Sequence, residues 1–453
     1  MLIPFPRLKT GAGFRPDCRF ALSDVILRGM KAALFLLGWL AGNGIATLSA
    51  QTLQVIPNRA LADEAAVVCA TGLQPGERVT IQAKLTDGAG HPWASSAQFI
   101  ADSQGTVDTS KQAPEKGSYT EISSLGLVWS MMPTAKHVSI YRSPNDLSPQ
   151  FIDFDLLRSG KQAATAEFEQ LRVAEGVRSI NVEAQIHGVL FVPSGGGPHP
   201  GVLVVGGSEG GLPAEKAAWL ASHGFTALAL AYFHYDGLPA ELEAIPLEYF
   251  GNALSWMMMR PEISADGIAV VGTSRGGELA LQLGSMYPDV KAVVAYVPAN
   301  VRYPSCCGDT PVRYAWTWHG QPLSYVLPRF SPFPSTAMNA AIAVEQTHGP
   351  ILVISGESDG VWPSPMMTQA VVDRLKRAHF PFQVERLDYP HAGHRAGNPQ
   401  IVPAWHGEVR HPVSGREMNL GGNAKGDAES SLDAIPKVLA FLQASLAPKS
   451  APR

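Results

Sequence analysis

Charge is scarce in this chain of 453 residues: 16% of it is Asp, Glu, Lys or Arg, and the formal net charge is −4. Without a basic excess the chain lacks the electrostatic footprint of a nucleic-acid binder, so no nucleic acid is expected as a partner. Cysteine is scarce too. There are four, at positions 18, 69, 306 and 307, and no spacing among them matches a zinc site, so no metal is expected. The glycine-rich segment Gly206-Gly207-Ser208-Glu209-Gly210-Gly211 lacks the Gly-Lys-Ser/Thr ending of a phosphate-binding loop, and no cofactor is implied. No apolar run reaches the roughly 18 residues needed for a stable membrane span. What remains is 45% hydrophobic, a composition able to build sizeable cores, and at roughly 150 residues per domain the length allows two or three units. Nothing in the sequence sets an oligomeric state.

The start of the chain carries a targeting pattern. Met30-Lys31 precedes the apolar run Ala32 to Gly42, and small residues follow up to Ala50. A basic start, a short apolar stretch and a small-residue cleavage site describe a secretory signal. Residues 1–50 are therefore expected to be a leader, with the signal at 30–50, Met30 as an alternative start, and an exported protein beginning near Gln51. If the leader does not function, the protein stays in the cytoplasm. Cys18 is lost with the leader on this reading. Cys69, Cys306 and Cys307 then form an odd set, and adjacent cysteines bridge only with strain, so buried or free thiols are expected.

Two textures follow. From 51 to 160, short β-like runs such as Ala66 to Ala70 and Val79 to Ala83 alternate with turn signals such as Asp87-Gly88-Ala89-Gly90, which predicts a small all-β sandwich. From 161 to 448, strands alternate with helices: Val202 to Val205, then Ala214 to His223, then Ala227 to Leu230. That alternation predicts a mostly parallel, doubly wound sheet. Between 299 and 346 no sheet element is evident, and Tyr303, Tyr314, Trp316, Trp318, His319, Tyr325, Phe330 and Phe333 accumulate. The segment is expected to act as a cap-like insertion whose aromatics either line a pocket or pack against the sheet.

The chemistry concentrates at Val271-Gly272-Thr273-Ser274-Arg275-Gly276-Gly277, between the apolar run Ile268 to Val271 and the helix-like Glu278 to Leu283. Gly-x-Ser-x-Gly between a strand and a helix is the pattern of a nucleophile elbow, in which side chains two before and two after the serine would collide. In that arrangement an acid and then a histidine follow the serine in chain order. Pro350 to Ser355 reads as a buried strand running into Gly356-Glu357-Ser358-Asp359, and Phe382 to Leu387 as another ending in Asp388-Tyr389-Pro390-His391-Ala392-Gly393-His394. Asp359, at the loop tip, is preferred to Glu357 as the acid, and the base is His391 or His394. The oxyanion is expected to meet the backbone N–H of Arg275 and a second donor in the loop after Val205, at Ser208 or Glu209. An inactive hydrolase domain serving as a binding module is the competing class of function.

These motifs resemble the acyl-CoA thioesterase and bile acid-CoA:amino acid N-acyltransferase family. The resemblance runs through Gly72-Leu73-Gln74-Pro75-Gly76 and Gly126-Leu127-Val128-Trp129-Ser130-Met131. It continues in Leu228-Ala229-Leu230-Ala231-Tyr232-Phe233, the elbow, and Tyr389-Pro390-His391-Ala392-Gly393-His394. It implies an α/β-hydrolase fold (a mostly parallel, doubly wound sheet) preceded by a small β-sandwich. It also implies a catalytic triad of Ser274, Asp359 and His394, since the last histidine of Tyr-Pro-x-x-Gly-His is the family's base. Its thioesterases use serine, whereas its conjugating acyltransferases carry cysteine there. The resemblance therefore implies a serine hydrolase of acyl thioesters acting through an acyl-enzyme, with a small-molecule thioester or ester substrate. An exported carboxylesterase and an N-acyltransferase are the alternatives.

Overall fold

The computed structural model describes residues 18, 51–183, 185–307, 313–326 and 337–447. The signal expected at 30–50, Phe330 and Phe333, and the domain end expected at 448 lie outside the described residues.

The first domain follows from alternation. In Arg78–Thr86 and Pro92–Ile100 every second residue is buried, so each strand offers one apolar face to a core and one face to water. Both belong to a seven-stranded sheet with Gln150–Arg158 and Lys161–Leu171, and a three-stranded sheet contains Thr52–Ile56 and Val67–Thr71. Ile81, Phe99, Phe154 and Phe168 are fully buried. The boundary expected between 160 and 161 falls inside this sheet, because Lys161–Leu171 pairs antiparallel along Gln150–Arg158. The connecting Ser159 and Gly160 both have positive φ (48° and 78°), the geometry of a tight hairpin, and Ser-Gly reads equally well as a linker until the strands are seen to pair. The sandwich therefore runs on to Leu171.

The second domain is built on eight strands: β1 (Arg178–Val182), β2 (His187–Val192), β3 (His199–Val205), β4 (Thr226–Ala231), β5 (Ile263–Thr273), β6 (Val290–Tyr296), β7 (Ile351–Gly356) and β8 (Val384–Tyr389). Their order across the sheet is β1-β2-β4-β3-β5-β6-β7-β8, parallel from β4 to β8 and antiparallel at β1 and β2. Every residue of β4 and β7 is buried, as expected for strands covered on both faces. The helices are α1 (Ala214–Ser222), α2 (Leu247–Met258), α3 (Arg275–Met286), α4 (Ser364–Arg377) and α5 (Ala424–Ser445). This is the α/β-hydrolase arrangement. From β3 the chain crosses to β4 on one side, and from β5 to β6 on the other. Ligands in such sheets bind outside the carboxyl ends at that switch point, here the loops that begin at Gly206 and Ser274.

The insertion packs against the body of the domain. Trp316–Trp318 pairs with Ile245–Pro246 and Gln321–Pro322, and Trp316 is buried with its ring 6.0 Å from Tyr232 and 6.2 Å from Phe250. The cysteine expectation is corrected: Cys18 is bonded to Cys69 and Cys306 to Cys307, leaving no free cysteine among the described residues. Cys307 of the adjacent pair has a left-handed backbone (φ 82°). Among the described residues no helix is long and apolar enough to cross a membrane.

Candidate active site

Ser274 sits in the turn between β5 and α3 with φ 58° and ψ −118°, a conformation that persists only where its surroundings impose it. They do so through two glycines. A Cβ on Gly272 would run into the Gly276 backbone, and one on Gly276 would come 2.6 Å from the Val205 carbonyl oxygen. The hydroxyl is thereby held at the carboxyl end of β5, at the start of α3.

His394 and Asp359 reach it from the loops after β8 and β7. His394 Nε2 lies 2.9 Å from Ser274 Oγ, and His394 Nδ1 lies 2.9 Å from Asp359 Oδ2 and 3.0 Å from Oδ1. The Asp359 side chain is fully enclosed, and its Oδ1 also accepts the Val361 N–H at 2.9 Å. A carboxylate at Nδ1 keeps the proton there and leaves Nε2 as the acceptor facing the serine hydroxyl. Trp362 packs edge-on against the imidazole at 5.6 Å. The backbone behind the histidine is fixed as well, since Gly393 N–H donates to Asp427 Oδ1 (2.8 Å) and His394 N–H to the Leu420 carbonyl (2.8 Å). Glu357 and His391, the alternatives weighed from sequence, are exposed.

The oxyanion candidates divide. Ser208 and Arg275 line the same cavity as Ser274, whereas Glu209 is exposed and is not among its lining residues. Glu209 instead receives the Gly207 N–H on Oε1 at 2.8 Å, which occupies that donor and leaves Ser208 as the loop's contribution to the cavity. The loop runs close to Ser274, since a Cβ added to Gly207 would lie 3.3 Å from Ser274 Cβ. Tyr232 fixes it from behind by donating to the Gly206 carbonyl at 2.7 Å.

The cavity encloses about 460 Å³, and Tyr303, Cys306, Cys307, Trp362 and His411 form much of its wall. Of the described aromatics in the insertion, Tyr303 alone lines it. A residue passed over in the sequence holds that wall in place. Glu278 on α3 is fully buried, pairs with Arg275 Nε at 3.1 Å, accepts the Trp316 indole N–H at 2.7 Å, and accepts the Tyr303 N–H at 3.3 Å. Arg275 in turn donates to the carbonyls of Pro304 (2.7 Å) and Tyr303 (3.1 Å). Burial pushes the Glu278 carboxyl above its ordinary range, and Arg275 opposes that shift. The signal available in the sequence was a glutamate three residues after Arg275 in a helix-like run otherwise rich in Gly, Ala and Leu. His411 was also missed; it lies in a loop with no periodicity to mark it.

Residues 245–448 match the family described as BAAT / Acyl-CoA thioester hydrolase C terminal, and residues 63–184 its companion, Acyl-CoA thioester hydrolase/BAAT N-terminal region. The chain is 29% identical over 414 residues to a mouse protein named peroxisomal succinyl-coenzyme A thioesterase, covering 86% of this chain and 96% of that protein. It is 32% identical over 413 residues to mouse acyl-coenzyme A amino acid N-acyltransferase 1, covering 86% and 96%. Among solved structures, MGS-M1, an alpha/beta hydrolase from a deep-sea metagenome library, matches at 20% identity over 50% of this chain and 87% of that one, with a TM-score of 0.33. With both of its regions matched and relatives aligned along nearly their whole length, the chain belongs to the family of acyl-CoA thioester hydrolases and bile acid-CoA:amino acid N-acyltransferases.

Proposed function

We propose that the protein is a serine hydrolase of acyl thioesters that works through an acyl-enzyme on Ser274. The observation that carries this reading is the unbroken relay from Asp359 through His394 to Ser274, with 2.9 Å at each link. The names of the relatives, thioesterases and N-acyltransferases of acyl-coenzyme A alike, support acyl-CoA as the donor. His394 Nε2 takes the hydroxyl proton as Ser274 Oγ adds to the thioester carbonyl carbon, and the carbonyl electron pair moves onto oxygen. The backbone N–H groups of Arg275 and Ser208 receive that charge, each lowering the barrier by about 2.7–4 kcal/mol. The C–S bond then breaks, and the departing sulfur takes the proton from His394. Water repeats the sequence on the acyl-enzyme, releasing the free acid and restoring Ser274.

Ser274 stands where the conjugating members that the chain resembles carry cysteine, and water prevails over an amine unless a site binds the amine or excludes water. With an acyl-CoA and millimolar glycine or taurine, mass spectrometry should find mainly free acid, and Ser274→Ala should lower kcat by at least about 10⁴-fold with the unfolding midpoint unchanged. Predominance of the N-acyl amino acid would replace the hydrolase with the transferase. Hydrolysis of p-nitrophenyl esters but of no acyl-CoA would make the protein a carboxylesterase. The leader pattern at 30–50 is the argument for export; an exported enzyme would sit away from the cytoplasmic CoA pool, which makes that panel of substrates decisive.

A further inference from the structure

The cavity beside Ser274 holds a second histidine that the triad does not use. His411 is 4% exposed, in the loop joining the short paired segments Val409–Arg410 and Glu417–Met418. Its Nδ1 accepts two backbone N–H groups, from Val413 at 3.2 Å and Ser414 at 3.1 Å. Two donors converging on one ring nitrogen require a lone pair there, so the ring proton sits on Nε2. Nε2 lies 3.0 Å from Ser208 Oγ. Burial lowers the His411 pKa, with His234 acting in the same direction and Glu209 against it, and a second proton would have to point at the two N–H groups. The ring is neutral and donates to Ser208. The other group near Nε2 is Cys307 Sγ at 3.8 Å, which has no hydrogen to give because it is bonded to Cys306.

An Oγ that accepts from His411 keeps its own hydrogen to donate elsewhere. Ser208 lines the cavity with Ser274, one residue beyond Gly207, the glycine that abuts the nucleophile. We infer that the Ser208 hydroxyl, oriented by the neutral imidazole of His411, donates a hydrogen bond to the oxyanion that forms on the substrate carbonyl. Ser208 is then a catalytic residue through its side chain as well as its backbone, and His411 is a positioning residue. A hydroxyl that already accepts a hydrogen bond is the stronger donor, and a bond that tightens as charge develops acts on kcat rather than KM.

This inference rests on the reading of Ser274 as the acylated nucleophile, so its test uses two readouts: steady-state turnover of an acyl-CoA, and the rate at which a fluorophosphonate labels Ser274. Ser208→Ala should lower kcat by about 10²-fold, the scale of one oxyanion donor, with KM within about twofold of wild type. His411→Phe should match it, and Ser208→Ala combined with His411→Phe should be no worse than either alone. His411→Gln, whose amide N–H reaches towards Ser208, should recover most of the loss. Phosphonate labelling should follow the same pattern. Unchanged kcat and labelling in Ser208→Ala, additive losses in the double variant, or an effect on KM alone would overturn the inference. If His411→Phe does not fold, Ser208→Ala and His411→Gln decide the matter between them. A wild type that labels but hydrolyses no thioester would sink the proposed function while leaving the labelling rates to judge Ser208 and His411.

Discussion

Lys216 on α1 packs against the elbow from behind, with Nζ 2.5 Å from Thr273 Oγ1 and 3.9 Å from the centre of the Tyr296 ring. Burial brings its pKa down from 10.5 to about 8. The folded state therefore disfavours the cation, by up to about 3 kcal/mol at neutral pH. Between about pH 8 and 10.5 the unfolded chain holds a proton that the folded chain has released, so the stability contributed here rises with pH across that window. Urea midpoints of wild type and Lys216→Met should show wild type gaining on the variant from pH 8 to pH 10; a constant difference would show an ammonium open to water. Residues of this kind were not legible in the sequence. The grouping of Ser274 with Asp359 and a later histidine was, because a tight turn restricts which residues flank its central serine and chain order points to an acid and then a histidine; the choice of His394 over His391 rested on the family resemblance. Lys216 and His411 acquire their character from what encloses them, which no local pattern records.

At the scale of elements, α3 does two tasks. Its N-terminus adjoins Ser274, and its buried pair Arg275–Glu278 ties the Tyr303 to Pro304 segment and Trp316 to the helix. Glu278→Ala leaves the Arg275 guanidinium, 5% exposed, without its counter-charge, and should cost about 3–5 kcal/mol of stability in a denaturant titration. Glu278→Gln, which keeps an acceptor for the Trp316 indole, should lose less. Equal stability of wild type and Glu278→Ala would show that the insertion holds its place without the pair. The strands of the parallel sheet were readable as apolar runs, β3, β4 and β7 above all, and so was the alternation that separates the sandwich from it. The end of the sandwich was not, because Ser159-Gly160 closes a hairpin whose partner strands are specified by pairing rather than by composition. The aromatics of the insertion were visible, but their division between packing (Trp316) and cavity wall (Tyr303) depends on contacts with α2 and α3.

Across the whole molecule the sandwich bears on the site through the segment 395–423. That segment leaves His394, docks on the first domain, where Ile401 N–H donates to the Ala62 carbonyl and Ala404 N–H to the Trp129 carbonyl, and returns with His411 and then Leu420. One apolar cluster continues from Phe154 and Trp93 of the sandwich to Trp219 of α1 and to Val271 and Ile354 of the sheet, so the two domains share a core. The chain's start bears on the same domain, since Cys18 is bonded to Cys69 in the strand Val67–Thr71. That bond and removal of the leader exclude each other. Removal of the leader near Gln51 would leave an exported protein with one free thiol, Cys69, and with Cys306 and Cys307 paired, whereas a chain that keeps residue 18 holds Cys69 in its bond. Cys69 is 2% exposed, so the thiol should titrate only after unfolding. Intact mass of the exported protein, with alkylation in denaturant, should show a start near residue 51 and a single added label. A chain that retains residue 18 and takes up no label would overturn export with cleavage, and would return acyl-CoA in the cytoplasm as the substrate at hand.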